Sequence, residues 1–228
     1  MNLEEHYNQL HSTSAAKIKA GDYQIDPLLS TENDHRFGIT LVARPDEQTK
    51  AKIQSFLSEV KEVEPHQYYY QNSDIHITVM SIISCYVGFK LEKIEIQDYI
   101  EIVNNVLKKY KSFSVQFKGL TASPAGILLQ GFSNDDTLNE IRDELRLEFR
   151  KSQLEQSIDQ RYAIQTLHST IIRFKQELAD KTQFLNFVEN YRNFDFGTFE
   201  VKNIELVFND WYQRAKHVKK LHVFELSS

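Results

Sequence analysis

The pattern His-x-Thr followed by an apolar β-branched residue occurs twice, as His76-Ile77-Thr78-Val79 and as His168-Ser169-Thr170-Ile171. Each copy lies in an apolar, β-branched stretch, Asp74 to Ile82 and Ile164 to Ile172, of the kind that favours extended backbone. On a strand, residues i and i+2 point to the same face. Each copy therefore presents one imidazole beside one hydroxyl. Two such pairs facing each other supply a proton acceptor, a proton donor and two hydroxyls for the oxygens of a phosphodiester. That chemistry needs no metal and no cofactor. A third match, His11-Ser12-Thr13, runs into Ser14-Ala15-Ala16 with no β-branched setting, and is read as chance.

The surroundings of the two copies repeat too. Phe37 to Arg44 reads as a strand, Pro45 opens a helix in its permitted first turn, and Ile53, Phe56, Leu57 and Val60 line one helical face before the first copy. In the other half Gly126 to Phe132 reads as a strand. Ser133-Asn134-Asp135 supplies cap residues, and Leu138, Ile141, Leu145 and Phe149 line a helix before the second copy. Asp46 precedes His76 by 30 positions and Asp135 precedes His168 by 33. A helical stretch also follows each copy, marked by Tyr99, Val103, Val106, Leu107 and Tyr110, then by Phe184, Leu185, Val188 and Tyr191. The pattern predicts helices near 46–60, 95–110, 135–150 and 179–192. Tyr68 to Tyr70 reads as a strand with alternating faces, and Phe37, Ile39 and Leu41 as core. Thr198–Phe208 and Val218–Glu225 read as two further strands.

With these motifs in these slots, the chain resembles the two-histidine (2H) phosphoesterase superfamily, which includes RNA 2′,3′-cyclic phosphodiesterases and 2′-5′ RNA-ligase-like proteins. His76-Ile77-Thr78-Val79 fits its His-apolar-Thr/Ser-apolar signature fully. In the second copy Ser169 replaces an apolar residue, on the strand face opposite the His. The resemblance spans about Arg36 to Leu226. It implies an α+β, bilobal duplicated fold, with two antiparallel sheets facing a central cleft and helices outside. On this reading residues 35–228 form a single bilobal domain, and residues 1–34 form an arm with a short helix that covers a lobe or contacts a partner.

Composition narrows the class. With 41% apolar residues and only 7 Gly and 4 Pro, the 228 residues leave no linker between the halves. A lone Cys85 forbids an intrachain disulfide. Neither a signal peptide nor a run long enough to span a membrane is evident, so the expectation is a cytoplasmic protein without a membrane partner. The net charge of −5 argues for a nucleotide or short RNA end over extended duplex nucleic acid. Lys108 to Lys111 and Arg214 to Lys220 are local basic runs, read as a solvated helix end and a hairpin tip. Two His also suit zinc, but no Cys pair, His-Glu-x-x-His or carboxylate at metal spacing accompanies them, so no metal is expected. Oligomeric state is not readable.

The expected catalytic residues are His76 and His168, one as base and one as acid, with Thr78 and Thr170 binding the phosphate. Arg173, Tyr86 and Trp211 complete the substrate-binding candidates. Arg173 is three residues past Thr170, so a regular strand turns it away from the His; it reaches the phosphate only if the strand ends or bulges. Beyond the first motif, Tyr86 is placed for a loop to set its ring against a base. Trp211 follows Asn209-Asp210 in a turn, where a ring stacks on a base more readily than in a core. The reaction so implied is metal-independent cleavage of a 2′,3′-cyclic phosphate on a nucleotide or RNA end. The alternatives are a 2′-5′ oligonucleotide or RNA 3′-end phosphodiesterase, and a module that binds nucleotides without turnover.

Overall fold

The computed structural model describes residues 2–31, 34–160 and 163–227. Among these residues five α-helices and nine strands follow the chain as α1 (Leu3–Ala20), β1 (Arg36–Ala43), α2 (Glu47–Val63), β2 (Tyr68–Tyr69), β3 (Ile77–Val87), α3 (Ile96–Leu107), β4 (Phe113–Ser123), β5 (Gly126–Phe132), α4 (Thr137–Lys151), β6 (Ser169–Arg173), α5 (Lys181–Asn190), β7 (Asp195–Val201), β8 (Asn203–Asp210) and β9 (Lys219–Glu225). The strands form two antiparallel sheets, a four-stranded one in the order β3-β1-β8-β9 and a five-stranded one in the order β2-β6-β5-β4-β7. The architecture is α+β, and each motif opens a strand of a different sheet.

The helices form where apolar periodicity meets a cap. In α2, Asp46 accepts from the Thr49 amide at 2.8 Å. Pro45 therefore sits just before the cap and not in the first turn. The face Ile53, Phe56, Leu57, Val60 is at most 1% exposed, and each such side chain contributes about 2 kcal/mol by burial. In α4, Leu138, Ile141, Leu145 and Phe149 are buried in the same way. Its N-cap is Asp136, while Asp135 Oδ1 accepts from the Thr137 amide.

Each helix of the duplicated unit packs across the pseudo-symmetry. The chain enters α2 from β1 of the first sheet, yet α2 packs on β7 of the second; it enters α4 from β5 of the second sheet, yet α4 packs on β3 of the first. These crossovers lock the sheets together. The N-terminal segment is an 18-residue helix, capped by Asn2 and ended by Gly21 at φ 78°. Packed on β4, α1 buries Tyr7 and Ile18. Met1, Glu32 and Asn33, parts of the expected arm, lie outside the described residues.

Several expectations need correction. The stretch Thr198–Phe208 is not one strand: it breaks at Lys202 into β7, at the edge of the second sheet, and β8, inside the first. Ile39 and Leu41 are fully buried, but Phe37 is only partly so, stacking on Phe208 at 5.0 Å. The strand β4 was not expected; the short helix expected in the N-terminal arm is the 18-residue α1, a third helix on the second sheet. Both histidines also sit one residue before their strands, not within them. Among the described residues no helix is long and apolar enough to cross a membrane.

Candidate active site

One cleft between the sheets is lined by His76, Thr78, His168, Thr170, Arg173 and Trp211, together with Thr40, Tyr70, Ser81, Ser84, Asn209 and Gln213. Six of the seven residues picked out in the sequence therefore share one cavity. The structure does not bring Tyr86 there. Its ring is exposed near the end of β3, the hydroxyl donates to Glu155 at 2.7 Å, and the edge meets Phe89.

The cleft face of each motif strand depends on a bulge. Leu41 and Val42 of β1 pair with Met80 and Thr78, so Val79 is the extra residue. Ile127 and Leu128 of β5 pair with Ile172 and Thr170, so Ile171 is the extra residue. The fourth residue of each tetrapeptide is thus a bulge, and beyond it the alternation of faces reverses. Arg173 returns to the face of Thr170 for this reason. On β3 the same step returns Ser81 to the face of Thr78, and a second register shift brings Ser84 round as well. Ser169, where the motif departs from apolar, is 1% exposed with its hydroxyl unpartnered among the described residues, so it does face the core.

The two imidazoles are held differently. His76 Nδ1 lies 2.7 Å from the carbonyl oxygen of Asp74. A carbonyl only accepts, so Nδ1 carries hydrogen and the lone pair of neutral His76 is on Nε2. His168 Nδ1 lies 2.6 Å from Thr166 Oγ1, a hydroxyl that can give or take the proton. Burial is the largest influence on both and pushes each down to about 4. For His76 the Asp74 carbonyl opposes the shift, while Arg44, His168 and Arg173 add to it. For His168 the added positive charges are Arg142, Arg173 and His6.

Supporting residues fix this geometry. Asp74 also accepts the Ala215 amide at 2.9 Å, tying the segment before His76 to the turn after β8. Arg173 Nε donates to Tyr70 OH at 2.9 Å, and its guanidinium lies 5.8 Å from the centre of the Tyr212 ring. The guanidinium of Arg36 covers Trp211 at 5.1 Å from the ring centre. Gly131 of β5 lets the chain before His168 pass closely, since a Cβ there would meet the Leu167 carbonyl oxygen at 2.0 Å.

Arg142 carried no mark in the sequence. It follows Ile141 on the buried side of α4 and is 0% exposed. Its guanidinium donates to the carbonyls of Val79 at 3.0 Å, Thr78 at 2.9 Å and Thr166 at 2.9 Å, and to Asn139 Oδ1. One buried cation therefore joins the backbone of the first motif to the residue that holds His168. Burial pulls it down to about 10, which leaves it charged at neutral pH. No group of three or more His, Cys, Asp or Glu side chains converges among the described residues.

Residues 34–217 match the family described as the AKAP7 2′5′ RNA ligase-like domain. The chain belongs to that family. The family is part of the 2H phosphoesterase superfamily, as the paired motifs implied. Solved structures share the fold at low identity. TT0787 of Thermus thermophilus is 14% identical, with 82% of this chain and 97% of that one covered and a TM-score of 0.59. A protein described as a phosphoesterase is 11% identical, with 85% and 99% covered and a TM-score of 0.60. Escherichia coli LigT complexed with 3′-AMP is 10% identical, with 85% and 99% covered and a TM-score of 0.59. No curated protein sequence matches the chain.

Proposed function

We propose that the protein is a metal-independent phosphodiesterase that opens a 2′,3′-cyclic phosphate on a nucleotide or RNA end. The observation that carries this reading is the pairing of His76 and His168, from different sheets, in one cleft with Thr78, Thr170 and Arg173. Neutral His76 offers the Nε2 lone pair and takes a proton from the attacking water. Water oxygen bonds to phosphorus as the bond to one ribose oxygen breaks. His168, entering as the imidazolium that the anionic substrate favours, donates from Nδ1 to Thr166 Oγ1 and gives its Nε2 proton to that leaving oxygen, ending neutral. Thr78, Thr170 and the terminal guanidinium donors of Arg173 face the non-bridging oxygens, where charge builds. Trp211 flanks this centre with an aromatic face for a base. The bound 3′-AMP of LigT, on the same fold, agrees with a nucleotide as ligand.

A second reading is favoured by the family's description, which names a 2′-5′ linkage. The same acid and base would cut a linear 2′-5′ diester in a cleft open at both ends. Phosphorus NMR on a nucleoside 2′,3′-cyclic monophosphate and on a 2′-5′ dinucleotide, both with excess EDTA, separates the two. Conversion of the cyclic ester to a monoester is the expected result. Cleavage of the dinucleotide alone would move the assignment to the linear linkage, and no reaction with either would overturn the proposal.

A further inference from the structure

The helix α1 lies ahead of residues 34–217, which match the family, yet it reaches the support of His168. Tyr7, on its buried face, is 0% exposed. The Tyr7 hydroxyl sits astride Gly131 of β5, donating to its carbonyl at 3.3 Å and accepting from its amide at 3.3 Å. The direction of the first bond is fixed, since a carbonyl only accepts. At Gly131 the chain before His168 passes β5, beyond the last pair of β5 with β6, Leu129 with Ser169. In that gap the Tyr7 oxygen also meets the Thr166 side chain and the Leu167 backbone. Burial pushes the phenol up to about 12, and these hydrogen bonds oppose the rise.

Thr166 is thus shared between His168 and Tyr7. Its hydroxyl oxygen lies 2.6 Å from His168 Nδ1, and its carbonyl accepts from Arg142 at 2.9 Å. In the proposed step His168 enters as an imidazolium, with hydrogen on both nitrogens. Thr166 can hold Nδ1–H only by its oxygen, so the hydrogen of its own hydroxyl must go to another acceptor. The Tyr7 oxygen is that acceptor, because the Tyr7 hydrogen is already committed to the Gly131 carbonyl. Donation then runs one way, from His168 Nδ1 to Thr166, to Tyr7, to Gly131. Without the Tyr7 oxygen the Thr166 hydrogen turns toward Nδ1, where it opposes the charge. Residues 2–31 hold the far end of β6 as well. The Asp26 amide donates to the carbonyl of Phe174, the residue after Arg173, at 2.9 Å. The Asp26 carboxylate accepts from Tyr212 OH at 2.8 Å, and the Tyr212 ring faces the Arg173 guanidinium. The strand that carries Thr170 and Arg173 therefore depends on this segment at both ends.

We propose that Tyr7 is a positioning residue of the active site: it takes the hydrogen of Thr166 and so keeps the Thr166 oxygen turned to His168 while that imidazole carries the proton for the leaving oxygen. The proposal rests on the phosphodiesterase reading for the step that Tyr7 serves, not for the contact itself.

The test is Tyr7→Phe in the full chain, which keeps the ring and removes the oxygen. Turnover of a nucleoside 2′,3′-cyclic monophosphate is followed against pH. At neutral pH kcat is expected to fall ~10-fold with KM held within about threefold. The alkaline limb of kcat should move about one pH unit lower, because His168 then holds its proton about tenfold less tightly. The charges that bear on His168, those of Arg142 from α4, Arg173 from β6 and His6 from α1, are left in place, as is His76 across the cleft. Thr166→Val should move the limb equally and the double variant no further, since the two hydroxyls act in series. Thr166→Ser, which keeps the hydroxyl, should leave the limb at its wild-type position. Fluorotyrosine placed at Tyr7 alone keeps the oxygen as a weaker acceptor; it should move the limb the same way by less, and stands if Tyr7→Phe fails to fold. His11→Leu removes the acceptor of the Ala122 amide, loosening α1 without touching Thr166. It should lower the melting temperature and leave the limb in place. A limb unmoved in Tyr7→Phe, or moved equally in His11→Leu, overturns the inference. If no cyclic nucleotide is turned over, the activity proposal fails separately. The contact is then read by NMR titration of His168 with saturating inorganic phosphate. Proton binding about tenfold weaker in Tyr7→Phe, with His76 unmoved, is the expected result, and an unchanged His168 overturns the inference.

Discussion

His76 and His168 share a motif but not a partner, and on the proposed mechanism that difference sets the role of each. A backbone carbonyl fixes the hydrogen of His76 on Nδ1, while a hydroxyl lets His168 keep hydrogen on either nitrogen. Both are held near 4 by burial. NMR titration of the free protein should therefore show the His76 and His168 imidazoles titrating at about 4, well below the ordinary value of about 6.5. Inorganic phosphate should raise both, since a bound anion favours the imidazolium; two histidines near 6.5 in the free protein would contradict the burial described. The effect on stability has a definite sign. A folded-state pKa below the unfolded one means that the unfolded chain binds more protons, so folding weakens as pH falls from about 6.5 to about 4. Below that window the loss is constant. The tetrapeptides were legible because two residues with linked chemistry recur at fixed spacing. Tyr70, Asn209 and Gln213 were not: Tyr70 lies in a run of three Tyr that reads simply as strand, and a single Asn or Gln has no spacing to betray it.

The strands do more than carry the motifs. A regular β6 would aim Arg173 away from the cleft, and a regular β3 would do the same to Ser81. One inserted residue after each Thr reverses both. Sequence periodicity shows where helices bury a face, which is why α2, α3, α4 and α5 were legible nearly to their ends. It does not show a bulge, because Val79 and Ile171 suit regular strand as well. Nor does it show the break at Lys202, where no Gly or Pro marks the passage from one sheet to the other. Arg142 ties these elements together as a positioning residue, and its removal has two separable consequences. Arg142→Met strands three backbone carbonyls and should cost about 3 kcal/mol of stability. It should also lower kcat by ~10- to 100-fold with KM held within about threefold, because the bulged strands lose their common anchor while the phosphate ligands remain. Guanidinium ion added to Arg142→Ala should restore part of kcat. A melting change with kcat intact would reduce Arg142 to a packing role.

On the proposed mechanism the molecule as a whole divides the reaction between its two sheets. Neither sheet alone carries both motif histidines; they share one cleft because the crossovers of α2 and α4 hold one sheet against the other. The duplicated strand–helix–strand unit made the placement of the two motifs on separate sheets legible in the sequence. Which sheet takes β8 and β9, and which of the two α1 covers, depends on packing between distant segments and left no local trace. Turnover of a nucleoside 2′,3′-cyclic monophosphate with excess EDTA, in wild-type protein beside His76→Ala and His168→Ala, measures the division directly. Activity that persists with chelator and falls at least ~100-fold in each variant alone is the expected result, the usual scale for a proton-transfer group. Turnover that EDTA abolishes, or that survives loss of either histidine, would contradict it.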